Sequence, residues 1–223
     1  MLIDLLFAVV LQAHAAENPK KPADQLALAD ELWKDPKKRR ESVVAYQTYT
    51  KLTPEKIPSG RVLERCVACG YYGELAKGTP PSPALTGRWK AIEVKCTEGP
   101  LQTFVKNYNT ELAAKSGAQR SEELEISASG DVIGKRSANI DGKIAKDVYQ
   151  YHVSLIGDRW FEQMMSHGKK SVDGTQPHVE DTVRKYEVKK DGDSWLLTLT
   201  SLDPIRSSNF CTKGHSLWKY KKQ

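Results

Sequence analysis

Apolar residues recur every three or four positions in the first third of the chain and every second position over most of the rest. In "QLALADELWKD", Leu26, Ala29, Leu32 and Trp33 fall on one helical face, with Asp24 placed to cap the helix and Pro36 to close it. "RRESVVAYQTYTKL" sets Val43, Tyr46, Tyr49 and Leu52 on one stripe, with Val44 beside them. A third short helix is predicted around "SGRVLERCVACGYYGEL", capped by Ser59. "KGTPPSPALTG" packs three prolines into four residues, which neither a helix nor a sheet accommodates, so it reads as a stiff spacer.

From Gly87 the period is two. "RWKAIEVKC" alternates; "EELEISASG" and "DVIGKRSANIDGK" follow, with turn signals at Gly130-Asp131 and Asp141-Gly142. "DVYQYHVSLIG" puts Tyr149, Tyr151, Val153 and Leu155 on one face, and "DRWFEQMMSHG" turns off it at Gly157-Asp158. Two strand-like runs in "VEDTVRKYEVKKDGDSWLLTLTSL" meet through Asp191-Gly192-Asp193, and "HSLWKYKK" ends the chain. Only "NYNTELAAKSG" interrupts with a helical signal. The pattern predicts a mainly β protein, an antiparallel up-and-down barrel of about eight strands, with an N-terminal α-helical segment. Closing the meander removes both exposed edges. The predicted division is a helical segment over 16–76, a Pro-rich linker over 77–86 and the barrel over 87–223.

The extreme N-terminus adds a destination. "LIDLLFAVVL" is too short for a standard membrane span and is followed by "AHA", the small-x-small pattern of a cleavage site. Residues 1–15 therefore read as a signal peptide and the protein as exported, periplasmic or secreted, with no stable membrane span after cleavage. Four cysteines, an even count, fit an oxidising compartment where disulfides form. A formal net charge of +6 is small and scattered, which argues against a nucleic-acid partner. The run Lys37-Lys38-Arg39-Arg40 reads as a solvated turn between helices.

Gly87-Arg88-Trp89 at the mouth of the first strand, about eight antiparallel strands and a tryptophan in the last one resemble the lipocalin-like (calycin) barrels, over roughly residues 84–223. The resemblance implies that Trp89 packs at the closed end under a basic side chain, Arg206 or Lys219, with Gly87 and Trp218 as fellow barrel-closing residues. It also implies a lumen that is either filled or holds one small apolar or amphipathic ligand. Candidate lumen residues are Tyr149, Tyr151, Val153, Trp195 and Leu197. The first two helices resemble a single tetratricopeptide-type hairpin. One such unit cannot bury its own faces, so it is expected to dock on the barrel or on a protein partner.

Barrel closure makes the first and last strands antiparallel neighbours. The register that pairs Trp89 with Trp218 also pairs Cys96 with Cys211, near enough for a disulfide. Strand alternation then places the tryptophans inside the closed end and the cysteines outside, near the open rim.

Cys66-Val67-Ala68-Cys69 is a C-x-x-C pair without a following histidine or a second pair. It reads as a structural disulfide in the third helix or a staple to the barrel, with a thiol–disulfide oxidoreductase site as the lesser alternative. The histidines His14, His152, His167, His178 and His215 show no metal-ligand spacing, and His152 is expected to face away from the lumen. Met164-Met165 beside Trp160-Phe161 is either core or a soft pocket lining. No catalytic residue, metal site or cofactor is indicated. The leading expectation is a non-enzymatic protein that binds a small hydrophobic ligand in its barrel; the alternative is an envelope interaction module with a solid core.

Overall fold

A computed structural model describes residues 21–56, 58–101, 120–140, 143–168, 170–171, 178, 180–203, 207 and 210–223. The expected signal peptide, the "NYNTELAAKSG" helix, the Asp141-Gly142 turn, His14 and Arg206 lie outside the described residues. Among the described residues nine strands follow the helical segment: β1 Gly87–Leu101, β2 Arg120–Ile126, β3 Asp131–Ile140, β4 Lys143–Ile156, β5 Arg159–His167, β6 Lys170–Ser171, β7 Thr182–Asp191, β8 Ser194–Ser201 and β9 Cys211–Lys222. Each pairs antiparallel with its neighbours, β1 with β9 and β4 with β5, while β5 also pairs with β7. The result is a closed eight-stranded meander, with two-residue β6 appended to β5. The turns expected at Gly157 and Gly192 hold glycines at φ 59° and 58°, in the left-handed region that glycine enters without penalty.

The β1–β9 register differs from the expected one. Trp89 pairs with Lys222, Trp218 with Val94, and Cys96 with Ser216. The offset is already present at the Trp89 pair and runs along the whole ladder; irregularities between Ala91 and Glu93, Cys96 and Glu98, and Glu98 and Leu101 shift it by no more than a residue. Each bulge rotates the alternation of the strand beyond it. At one of them Gly214 has φ 75°, and a Cβ there would meet the Glu98 nitrogen at 2.7 Å. The disulfide nevertheless forms: Cys96 and Cys211 are joined with Cα atoms 5.7 Å apart, across the irregular stretch between the Cys96–Ser216 and Leu101–Cys211 pairs. Their facing is not as expected. Trp89, Ala91 and Val94 all join the core, so after the first bulge Cys96 shares the inner face with Val94 instead of opposing Trp89.

At the closed end Trp89 is fully buried and its Nε1 donates to the Leu85 carbonyl at 2.8 Å. Its basic cover is Lys222, with Nζ 5.5 Å from the ring centre, rather than Lys219, which pairs with Glu93 at 3.2 Å. Gly87 leaves room for it: a Cβ there would lie 3.3 Å from the Lys222 Cε.

The helical segment comprises α1 Pro22–Trp33, α2 Arg39–Leu52, α3 Arg61–Arg65 and short 3-10 turns. Pro22 opens α1, so Asp24 sits in the first turn and is not the cap, and α3 starts after Gly60, not Ser59. The tetratricopeptide resemblance finds no support, because the hairpin's partner is a sheet and not a second helical repeat. Ala29, Val43, Ala45 and Tyr46 share a buried cluster with Phe161 of β5 and Val183 of β7. Those two residues point out of the barrel, and the helices bury them. Cys66 and Cys69, disulfide-bonded, lie in the same cluster at 2% and 0% exposure. The buried Asp181 carboxylate ties the seam, accepting from Tyr72 Oη at 2.6 Å and from the Met164 nitrogen at 3.0 Å. The linker is pinned as well, Thr79 and Leu155 exchanging backbone hydrogen bonds. Leu52, expected on the buried stripe, is 43% exposed; Thr50 and Thr53 are buried in the last turn instead. No helix among the described residues is long and apolar enough to cross a membrane.

Candidate functional site

Strand alternation carries a mixed set of side chains into the lumen. On β2 the inward parity is Glu122, Leu124 and Ile126; on β3 it is Val132, Gly134 and Arg136; on β7 it includes Thr182 and Arg184. Glu122 and Arg136 are direct cross-strand partners, and the Arg136 Nε donates to Glu122 Oε2 at 2.8 Å. A second pair lies across the β5–β7 boundary, where Arg184 Nε is 3.1 Å from Glu162 Oε1. Both carboxylates are held from a further side: Tyr220 Oη donates to Glu122 Oε1 at 2.8 Å, and Trp160 Nε1 to Glu162 Oε1 at 2.9 Å. Buried ions persist only when paired and hydrogen-bonded in this way.

Charge states follow from these contacts. Burial alone would raise the Glu122 carboxyl, but the Arg136 charge and the hydrogen bonds from Arg136 and Tyr220 outweigh it and hold it below the usual glutamate range. Burial works against the Arg136 charge, and Glu122 more than restores it. Tyr149, Tyr151 and Tyr220 are pushed up, first by burial and also by the glutamates, so all three stay protonated at neutral pH.

Toward the open end the lumen is not filled. A cavity of about 400 Å³ is bordered by Tyr149, Tyr151, Met164, Phe210 and Trp218, and by Arg136 and Arg184. That is room for one small molecule. The Arg136 guanidinium stacks 4.4 Å above the Tyr149 ring. Tyr149 in turn lies flat over Gly134, where an added Cβ would sit 1.9 Å from a ring carbon. The Tyr149 hydroxyl is buried and has no hydrogen-bond partner in the described structure. The helical segment supplies part of the mouth through Pro36, Arg39, Arg40 and Val43. Arg40 reaches Glu180, just ahead of β7, at 3.3 Å, and His167 at the end of β5 meets Asp147 at 2.9 Å. The run Lys37-Lys38-Arg39-Arg40 is thus divided: its lysines are exposed in a turn and its arginines border the cavity.

Of the five lumen candidates, Tyr149 and Tyr151 border the cavity. Val153 and Leu197 are fully buried in the packed part of the lumen, and Trp195 packs against the edge of that core. Trp218 is displaced by the register offset from the closed end to the cavity, stacked on Tyr220 and edge-on to Phe210. Met164 lines the cavity while Met165 is exposed. His152 is on the outer parity and pairs with Asp131 at 3.1 Å. The charged residues Glu122, Arg136, Glu162 and Arg184 were not singled out from sequence. Their signal was present as charges at inward positions, as in Thr182-Val183-Arg184-Lys185-Tyr186.

No protein-family description matches the chain, and no curated protein matches it. Two solved structures show a similar chain path. One is titled a biogenic amine-binding protein (selenomethionine derivative), with TM-score 0.35 and 9% identity over 65% of this chain and 68% of that one. The other is fatty-acid-binding protein 1 of Echinococcus granulosus, with TM-score 0.28 and 9% identity over 63% of this chain and 98% of that one. At such values neither bears on what this chain binds.

Proposed function

We propose that this protein binds one small amphipathic molecule in the open half of its barrel. The observation that carries the reading is the 400 Å³ cavity walled by Tyr149, Tyr151, Met164, Phe210 and Trp218. A barrel of this size can be filled completely by side chains, and the closed half is; the open half keeps a space with an aromatic wall. The competing reading, a solid-core module that docks a protein through its helices, has less behind it. The apolar face of the hairpin is already committed to Phe161 and Val183, leaving Leu52 and Leu63 as its exposed large apolar residues. Export belongs to the same proposal, supported by two disulfides and the N-terminal apolar run; mature protein should begin near Ala16.

The test is cavity filling. Ser216 is buried and borders the cavity, so Ser216→Phe should occupy it while leaving the ion pairs in place. A solvatochromic naphthalene probe should bind the parent protein saturably at one site and bind the folded variant at least tenfold more weakly. Equal binding to both would sink the proposal.

A further inference from the structure

We infer that the outer wall formed by β7, β8, β9 and β1 is a docking face for the surface of an anionic phospholipid bilayer. This goes beyond the cavity reading and does not depend on it.

Along the chain the basic residues are scattered; the register of the barrel gathers them. Three rows of cross-strand partners cover this wall on its outward parity. Nearest the closed end the row is Lys189, Leu196, Lys221 and Lys90. The next is Glu187, Thr198, Lys219 and Glu93. The third is Lys185, Thr200, Leu217 and Lys95. Six lysines against two glutamates make +4, out of a formal +6 for the whole chain. The opposite wall does not share the excess. On β2, β3 and β4 the outward charges among the described side chains are Glu123, Glu125, Asp131, Lys135 and Lys146, three acids against two lysines, a net of −1.

Fold stability does not ask for this arrangement. Lys90 stands directly opposite Lys221, and like charges so placed repel. Lys219 and Lys95 both approach Glu93, at 3.2 and 3.8 Å. Lys90, Lys185, Lys189 and Lys221 form no ion pair with a described residue. The wall therefore presents unneutralised ammonium groups across about 15 Å, three strand spacings. At a Debye length of about 10 Å they act on a partner together.

The composition of the three rows selects that partner. They hold lysine and no arginine, so they offer point charges without planar forks for bidentate recognition. They carry no aromatic ring on which a nucleobase could stack. Lysine is depleted from protein–protein interfaces, where side chains are desolvated and fixed. A bilayer surface requires neither. Hydrated lysines gain from its diffuse negative potential while staying in water, by about fivefold in affinity for each. With its strands lying along such a surface, the barrel docks on its side and not through the helical mouth.

The experiment is sedimentation of the full chain with vesicles of phosphatidylcholine alone and of phosphatidylcholine with about one third phosphatidylglycerol, at low and high salt. Binding to the phosphatidylglycerol vesicles is expected to be at least tenfold tighter than to phosphatidylcholine and to weaken as salt rises. Lys90→Gln combined with Lys221→Gln should weaken it at least tenfold and leave the urea midpoint unchanged, since neither lysine has an ion-pair partner to strand. The matched control, Lys37→Gln combined with Lys38→Gln, removes the same charge from the exposed turn between α1 and α2 and should stay within twofold. Equal binding to both vesicles, binding to neither, or equal loss in the two variants would overturn the inference. Tighter binding to duplex DNA or to polyglutamate than to the anionic vesicles would also overturn it, in favour of a different polyanion.

Discussion

At the scale of the residue, the site depends on an absence. Gly134 has no side chain, and the Tyr149 ring occupies the space, with ring carbons 1.9 and 2.3 Å from where a Cβ would be. Gly134→Ala must therefore push the ring aside together with the Arg136 stacked on it. Overpacking of this kind costs about 1 to 3 kcal/mol, and urea denaturation of the variant should show a loss in that range. A second prediction concerns acid. Glu122 is held below its ordinary pKa chiefly by Arg136 against the opposing effect of burial, and Asp30 by hydrogen bonds and charges from Arg61, Tyr46 and Arg65. A lowered pKa in the folded state means stability that is present above the unfolded value, about pH 4, and lost as pH falls through the folded value. Asp181 acts with the opposite sign, because burial raises it despite its hydrogen bonds; its contribution is present at low pH and lost as pH rises through its folded value. Melting curves across pH 2 to 6 (roughly the carboxylate range) should show stability falling at the acid end. Glu122→Gln should flatten that fall.

At the scale of the element, the two disulfides have unequal tasks. Cys96–Cys211 joins the first and last strands across a sequence separation of 115, whereas Cys66–Cys69 spans 3. Chain entropy assigns about 4 to 5 kcal/mol to the long loop and about 2 kcal/mol to the short one, as upper values. Replacing Cys96 and Cys211 together by alanine should lower unfolding free energy more than replacing Cys66 and Cys69, in paired urea titrations under identical conditions. Non-reducing peptide mapping should yield these two crosslinks and no exchange between them. The irregularities in the β1–β9 ladder also belong to this scale. Gly99 and Gly214, both at positive φ, sit in the irregular stretch between the Cys96–Ser216 and Leu101–Cys211 pairs that the disulfide crosses.

At the scale of the whole molecule, the helical segment is a wall of the barrel as much as an addition to it. Phe161 and Val183 face outward from β5 and β7 yet are fully buried, because α1, α2 and the turn holding Cys66 and Cys69 cover them. Uncovering each forfeits about 1.5 to 3 kcal/mol of apolar burial and exposes a sticky sheet face. A chain starting at Gly78 is expected to melt well below the full protein and to self-associate in size-exclusion chromatography. It would also lack Pro36, Arg39, Arg40 and Val43 at the mouth of the cavity. A monomeric, equally stable truncated barrel would contradict this account.

The sequence by itself determined the elements and their order. Alternation from Gly87 onward, glycine turns at Gly157 and Gly192, and the apolar stripes over Ala29, Val43 and Tyr46 are local stereochemistry, which a linear chain displays directly. It also brought Cys96 and Cys211 to the two strands that close the barrel. Tertiary structure decided the rest. Register across β1 and β9 is set by contacts on both strands at once, and it runs several residues from the pairing of the two tryptophans, so Trp218 left the closed end for the cavity wall. Glu122, Arg136, Glu162 and Arg184 look like solvent-facing charges until the partner of each is known, because burial of an ion is tolerable only in the pair. The cavity is a difference between the shell that eight strands enclose and the summed volume of what points inside. No single stretch of chain contains that difference.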